Sequence, residues 1–358
     1  MFALSNEQRK CFGLAPLKNH WDCIEAKPSP HEKIKTYLYL DGNIIVKCIL
    51  LGEAQYCEFE LFETVSSDRK YLLPKTEKGK PVLLSSSSIK KRPGVGMRLQ
   101  YHNHSIDLYN EKTNCSYYCN AYSSNGINNL TDFSRWVANW CEETTDEDKN
   151  DIFRFSKNQR KHIQYQEGDI FRFKIDRRLY GYGRILLNYD MMRKKKIPFW
   201  DILMSKPVVC SVYHIMTENG HISPEELKHL SSLPSTIITD SPLHYGEYCI
   251  IGNLPVMQNE DYPIMYGSSI SILENAVCYQ CGKIFKKIEN GSVLYNGFRN
   301  NGVSFHLNCS YDILKQCIEE NSNAPYWSQD HLSYVNHDLR NPKNAEKLLR
   351  IKQQFDII

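Results

Sequence analysis

No stretch of 18 consecutive apolar residues occurs in this chain, so no membrane-spanning helix and no membrane partner are expected. The opening residues, MFALSNEQRKCFGL, lack the apolar core and small-residue cleavage site of an export signal. The chain is therefore expected to stay in the cytoplasm. Charge of one sign is scarce as well: 44 Lys and Arg face 41 Asp and Glu, a net charge of +3. Dedicated nucleic-acid binders carry a stronger basic excess, so the bulk charge argues against nucleic acid as the main partner. The signatures of nucleophilic, phosphate-binding and zinc-protease chemistry are missing: there is no G-x-S-x-G elbow, no P-loop and no H-E-x-x-H. GYGRIL has the wrong spacing for a phosphate-cradling loop. These patterns single out no catalytic residue. It also has no internal repeat of fixed period.

What is present fits an ordinary globular chain. The 358 residues are enough for two domains, with 41% hydrophobic and 24% charged residues. The 23 tyrosines suit strands and contact surfaces. Thirteen cysteines, an odd number without an export signal, are expected to be reduced thiols packed as small apolar groups.

The patterning predicts an α+β fold of two β-rich domains with peripheral helices. A short helix capped by Ser5 opens the chain, followed by the Pro-broken connector KPSPHEK. KTYLYL, NIIVKCILL, QYCEFELFE, GMRLQYHN and CSYYCNAY read as strands of an antiparallel sheet. A helix follows, with Thr131 as its cap and Phe133, Trp136, Val137, Trp140 and Cys141 as one apolar stripe. The text then turns acidic and leads into a second helix. The polar stretch SKNQRKHIQYQEGD marks a boundary near residue 160. This divides the chain into an N-terminal β-rich domain, 1–160, ending in the amphipathic helix and acidic segment, and an α+β domain, 161–358, closed by helices. In the second part KPVVCSVYHIM, GEYCIIGNLP and SVLYNGF read as strands. SPEELKHLSSLP starts a helix, with Ser223 at N-cap, Pro224 at N1 and Glu226 at N3. SYDILKQCIEEN and NPKNAEKLLRIKQQF read as the closing helices.

Several constellations could carry chemistry or contact. Cys278-Tyr-Gln-Cys281 and His306-Leu-Asn-Cys309 could give three thiolates and one imidazole to a tetrahedral zinc ion. The gap contains ENG and NGFRNNG, so a hairpin could join the two pairs. Such a zinc would be structural, since four protein ligands leave no open position. The alternative is three packed thiols, an unrelated histidine and no cofactor. His102 and His104 are expected on one side of a strand, most simply a solvent-facing edge. The basic stretches IKKRP, RRLYGYGR and RKKK at 193–196 could hold a nucleic-acid backbone, or could be solvated charge on turns and helix faces. The acidic run Glu142, Glu143, Asp146, Glu147, Asp148 and Asp151 is either an exposed helix surface or a patch that meets a basic partner.

The centre of the chain, GDIFRFKIDRRLYGYGRILL, alternates Phe171, Phe173 and Ile175 with Arg172 and Lys174, giving one core face and one wet face. Gly181 and Gly183 allow a bulge or sharp coil in the return strand, and a partly closed SH3-like barrel is expected there. Tyr180 and Tyr182 share a face and, with Arg177 and Arg178, are expected to be available for contact. This stretch resembles the start of the bacterial immunity protein 26 family. The matching positions are Gly168, Asp169, Phe171, Phe173, Ile175, Tyr180, Gly181, Tyr182, Gly183, Arg184 and Ile185. The resemblance continues through VVCSVYHI and GEYCIIGNLP to about Pro255. It implies a protein that protects its own cell from a cognate toxin of a polymorphic or contact-dependent toxin system. It also implies that the protein works by binding and covering the toxin domain, without catalysis. The contact residues expected on exposure and charge are Glu142, Glu143, Asp146, Glu147, Asp148, Arg177, Arg178, Tyr180 and Tyr182. A nucleic-acid-binding module with a structural zinc knuckle is the alternative function.

Overall fold

Over Lys35–Asp41, Met97–His102 and Ser105–Asn110 buried side chains alternate with more exposed ones, and these segments are strands of an antiparallel sheet. The computed structural model describes residues 2–28, 33–74, 76–122, 126–196, 206–218, 220–268, 275–298 and 302–358. It falls into two units, Met1–Lys161 and His162–Ile358.

The first unit opens with α1 (Asn6–Cys11), where Ser5 and Gln8 form a reciprocal capping box. Its sheet contains β1 (Asp22–Glu25), β2 (Lys35–Asp41), β3 (Ile44–Leu51) and β4 (Gln55–Val65). The small strands β5 (Tyr71–Leu73) and β6 (Val82–Leu83) branch from β4, and α2 (Ser86–Ile89) follows them. β7 (Met97–His102), β8 (Ser105–Asn110) and β9 (Cys115–Cys119) complete the order β1-β2-β3-β4-β7-β8-β9. Asn103 and His104, both at positive φ, make the two-residue turn between β7 and β8. His102 and His104 therefore do not share a strand face. His104 belongs to the turn, with Nδ1 3.1 Å from the Ile127 carbonyl oxygen.

Two helices cover one face of this sheet: α3 (Leu130–Glu142) and α4 (Asp146–Lys157). Phe133, Val137 and Trp140 are buried, with Trp136 and Cys141 at the margin of the same cluster. The stripe meets β7 directly: Phe133 stacks on Tyr101 with ring centroids 5.0 Å apart. Trp140 Nε1 donates to the Cys11 carbonyl at 3.1 Å and ties α3 to α1. Asn129, not Thr131, caps α3, accepting from the Thr131 and Asp132 amides. Thr131 is already inside the first turn, where its hydroxyl cannot take the capping position.

The interior of this unit also holds charge. The Glu58 carboxylate receives Arg9 Nε at 2.7 Å, Arg9 Nη2 at 3.0 Å, Lys47 Nζ at 2.7 Å and the Tyr56 hydroxyl at 2.6 Å. Burial alone would push the Glu58 carboxyl up, but Lys47 and Arg9 together hold it below the ordinary carboxylate value. Lys47 shares that single anion with Arg9, and burial lowers its ammonium pKa.

The second unit contains an open five-stranded antiparallel sheet. Its members are β10 (Asp169–Lys174), β11 (Tyr180–Asn188), β12 (Pro207–Thr217), β13 (Thr236–Thr239) and β14 (Cys249–Asn253), in the order β13-β12-β11-β10-β14. Strands β13 and β14 lie at opposite edges and, among the described residues, do not pair with each other, so the sheet is not a closed barrel. Around this sheet run α5 (Tyr189–Lys194), α6 (Pro224–Leu227) and α7 (Ser241–His244). The expected cap of α6 is present, with Ser223 and Glu226 reciprocally bonded and Pro224 at the first position. A three-stranded sheet follows: β15 (Ile264–Ser268), β16 (Ala276–Cys281) and β17 (Ile284–Glu289), in sequence order. The chain closes with α8 (Tyr311–Glu320), α9 (Ala324–Trp327), α10 (Ser333–Asn336) and α11 (Ala345–Gln354). SVLYNGF is not a strand: residues 292–298 are turns and irregular backbone. Gln354 Nε2 donates to the Ser292 carbonyl at 2.8 Å, and Tyr295 and Phe298 join the core beneath α11. The second half of MMRKKKIPFWDILM lies outside the described residues.

Candidate partner-binding surfaces

The hairpin β10–β11 is pinned at its base by Gly168 and Asp169. Gly168 adopts φ +90°, and a Cβ there would lie 2.5 Å from the Leu254 carbonyl oxygen. Only glycine lets β14's exit come this close. The Gly168 amide donates to the Ile185 carbonyl at 2.7 Å, and the Leu254 amide donates to the Gly168 carbonyl at 2.9 Å. Asp169 accepts from the Gln166 amide and from Asn253 Nδ2, both at 2.8 Å. The Gly-Asp pair thus joins β10 to both of its neighbours.

Gly181 and Gly183 flank a register shift in the β11–β12 pairing, as a bulge requires. Their second role was not visible in the sequence. A Cβ on Gly181 would lie 2.5 Å from Phe173 Cζ, and one on Gly183 would lie 2.4 Å from Phe171 Cζ and 2.7 Å from the Ser211 carbonyl oxygen. The two phenylalanine rings lie over the glycines of the partner strand, and Phe171 stacks on Tyr248 at 5.2 Å. Side chains, more than an approaching backbone, fill the space.

The contact residues expected in this hairpin separate into two groups. Tyr182 is fully buried, and its hydroxyl shares a hydrogen bond of 2.5 Å with Thr217 Oγ1. Arg177 is buried, in the turn Ile175–Leu179. Arg184 lies against Glu260 and is largely enclosed. Arg178 is exposed. Tyr180 is half-buried, with Arg172 over its ring at 5.2 Å and Lys174 at 5.8 Å. Little of RRLYGYGR is therefore presented for phosphate contact or base stacking. In RKKK, Lys194 pairs with Asp190 at 2.8 Å on α5. In IKKRP, Arg92 reaches Glu63 at 3.5 Å.

In the other unit, the acidic run spans the end of α3 and the start of α4. Glu142, Glu143, Asp146 and Glu147 are exposed. Asp148 is buried: it accepts from the Thr145 amide at 2.8 Å and the Thr145 hydroxyl at 2.9 Å, completing the α4 capping box. Asp151 is half-buried and accepts from the Tyr117 hydroxyl at 2.9 Å. Four carboxylates thus form a solvent-facing group, and two serve the fold.

The four residues of the zinc reading are not gathered. Cys278 and Cys281 lie in one continuous strand, where a separation of three places side chains on opposite faces. Cys278 packs with Leu187 and Met265, whereas Cys281 packs toward Tyr266 and Phe355. Cys309 is buried, and burial pushes its thiol up to about 12. Among the described residues, no group of three His, Cys, Asp or Glu side chains is arranged to hold a metal.

A cavity of about 150 Å³, which the sequence did not signal, is lined by Ser235, Thr236, Ser304, Asn308, Tyr334 and Arg340, among others. Arg340 is saturated there. Its guanidinium donates to both oxygens of Asp338, to Asp261, and to the Ser235 hydroxyl and carbonyl. The cavity therefore presents hydroxyls and amides, with no spare guanidinium donor for an anion.

Among the described residues, the hairpin turn of the second unit exposes Arg178, and the α3–α4 junction of the first unit exposes four carboxylates. Residues 166–278 match the family model described as immunity protein 26. The matched span covers the five-stranded sheet, β15 and the start of β16. No curated protein and no solved structure matches the chain. Among the described residues no helix is long and apolar enough to cross a membrane.

Proposed function

We propose that this chain is a cytoplasmic immunity protein that binds a cognate bacterial toxin domain and neutralises it by occlusion, without chemistry of its own. The observation that carries this reading is the immunity protein 26 match over residues 166–278, on a sheet whose Gly-Asp base and phenylalanine-covered glycines make a rigid support. Inhibition by occlusion needs a surface complementary in shape and charge, and no catalytic residue. Two surfaces are offered as contacts: Arg178 with Tyr180 on the hairpin, and the exposed carboxylates Glu142, Glu143, Asp146 and Glu147. The second surface suits a basic toxin, as a nuclease would be. The reading requires neither zinc nor nucleic acid.

The test is rescue. Toxin-sized C-terminal fragments of neighbouring reading frames are expressed with and without this protein, and survival is scored. Rescue specific to one fragment, with the two proteins co-purifying, is expected. A fragment of clear toxicity that is neither neutralised nor bound counts against that pairing. Failure with every toxic neighbour counts against the reading.

A further inference from the structure

β17 is the exposed edge of its sheet. Ile284, Phe285, Lys286, Lys287, Ile288 and Glu289 pair with β16 in unbroken register, from Cys281 opposite Ile284 to Ala276 opposite Glu289. None of the six is fully buried, and Ile284 is 50% exposed. Among the described residues, no strand pairs with the other side of β17. The connection to β16 is the two-residue turn Gly282-Lys283, so Ile284, Lys286 and Ile288 direct their backbone groups at β16. Phe285, Lys287 and Glu289 direct theirs away.

Proteins blunt such an edge with bulges, prolines, short strands or charge. β17 has no bulge, no proline and the length of an average strand. Charge is its remaining guard, and that guard is selective. Directly opposite residues of an antiparallel pair share a face, so pairing with β17 of a second copy centred on Lys286 would set it opposite Lys286 of that copy, a like-charge pair that destabilises. Lys287 also holds Glu289 at 2.9 Å, which leaves the exposed Lys286 as the discriminating charge. An incoming strand with a carboxylate opposite Lys286 turns the same guard into an attraction.

We propose that β17 accepts an extended acidic segment of the partner protein, which adds to the sheet as a fourth strand beside Phe285 and Glu289. That this partner is a toxin rests on the immunity reading above. β17 lies beyond the segment matched by the family, so this edge would set which partner is taken.

The experiment uses the full chain and two synthetic probes, a short peptide alternating valine with glutamate and its valine–lysine counterpart. Amide hydrogen exchange is followed at Phe285 and Glu289. The glutamate peptide is expected to slow both amides by about tenfold or more, and the lysine peptide is not. Lys286→Glu, an exposed change, should reverse the preference. No slowing with either peptide, or equal slowing with both, overturns the proposal. The rescue assay separates it from the immunity reading. Rescue by wild type that Lys286→Glu loses ties the edge to the toxin. Equal rescue by both removes the toxin from this edge and leaves the immunity reading intact. If wild type itself does not rescue, that reading fails, and the peptide exchange alone decides the edge.

Discussion

Gly183 sits beneath the ring of Phe171 and against the Ser211 carbonyl, and the cost of any side chain there follows from those contacts. Alanine would force the ring or the β11–β12 pairing to move, because its Cβ would fall 2.4 Å from Phe171 Cζ and 2.7 Å from the Ser211 oxygen. Gly183→Ala should lose about 1–3 kcal/mol in urea unfolding, the usual range for overpacking. Gly302 has nothing within 4 Å of its would-be Cβ, so Gly302→Ala is the control and should stay within about 0.5 kcal/mol of wild type. Equal losses would show that the ring does not control the position. Glu58 is governed by charge instead. Its carboxylate offsets two buried cations, and Glu58→Gln leaves Arg9 and Lys47 around a neutral amide, at a cost of about 3–5 kcal/mol. Because the folded-state pKa of Glu58 is depressed, its contribution is present above the ordinary carboxylate value. It is lost as pH falls through the lowered folded value. Unfolding midpoints measured from neutral pH down to pH ~3 should therefore fall less steeply for Glu58→Gln than for wild type across that acid window.

At the scale of elements, local signals read well when the decisive partner was near in sequence. The strands β2, β3, β4, β7 and β12, the stripe of α3, the Ser5 cap of α1 and the reciprocal cap of α6 all follow from alternation, period or neighbouring residues. SVLYNGF has strand-like composition, yet its Tyr295 is recruited to the core beneath α11, a contact between distant segments. Asp148 teaches the same lesson within one helix. It lies in an acidic run and looked like surface charge, but it faces Thr145 and caps α4. Thr145→Ala should cost about 1 kcal/mol, since it removes the hydroxyl of the capping box. Reversing Glu147, exposed on the same first turn, should cost less, about 0.3–1 kcal/mol through the helix dipole. Thermal unfolding of the two variants checks the order; the reverse order would mean that the box contributes little. For the same reason Tyr182 and Arg177 could be chosen from composition while their burial could not be. Thr217, which bonds Tyr182, is 35 residues away.

For the whole molecule, net charge conceals how charge is distributed along the chain. A balance of +3 suggests no electrostatic preference, but Glu142, Glu143, Asp146 and Glu147 present four carboxylates on one exposed stretch. Exposed charges act mainly on encounter: they accelerate association with a basic partner, and the effect fades as salt screens it. Reversing these four residues while keeping Asp148 leaves the α4 cap in place and removes the field. If the acidic stretch contacts the toxin, the reversed protein should associate about tenfold or more slowly at low salt, with little change in dissociation, and its rate should lose most of its salt dependence. Stopped-flow association with the neutralised fragment over a range of salt concentrations measures all three quantities. An unchanged rate and an unchanged salt slope would exclude the acidic stretch from the encounter surface. The same series on Lys286→Glu then distinguishes the edge from the acidic stretch. Loss of a β-strand addition should appear chiefly in faster dissociation, because backbone hydrogen bonds hold the docked state and long-range charge brings the partners together.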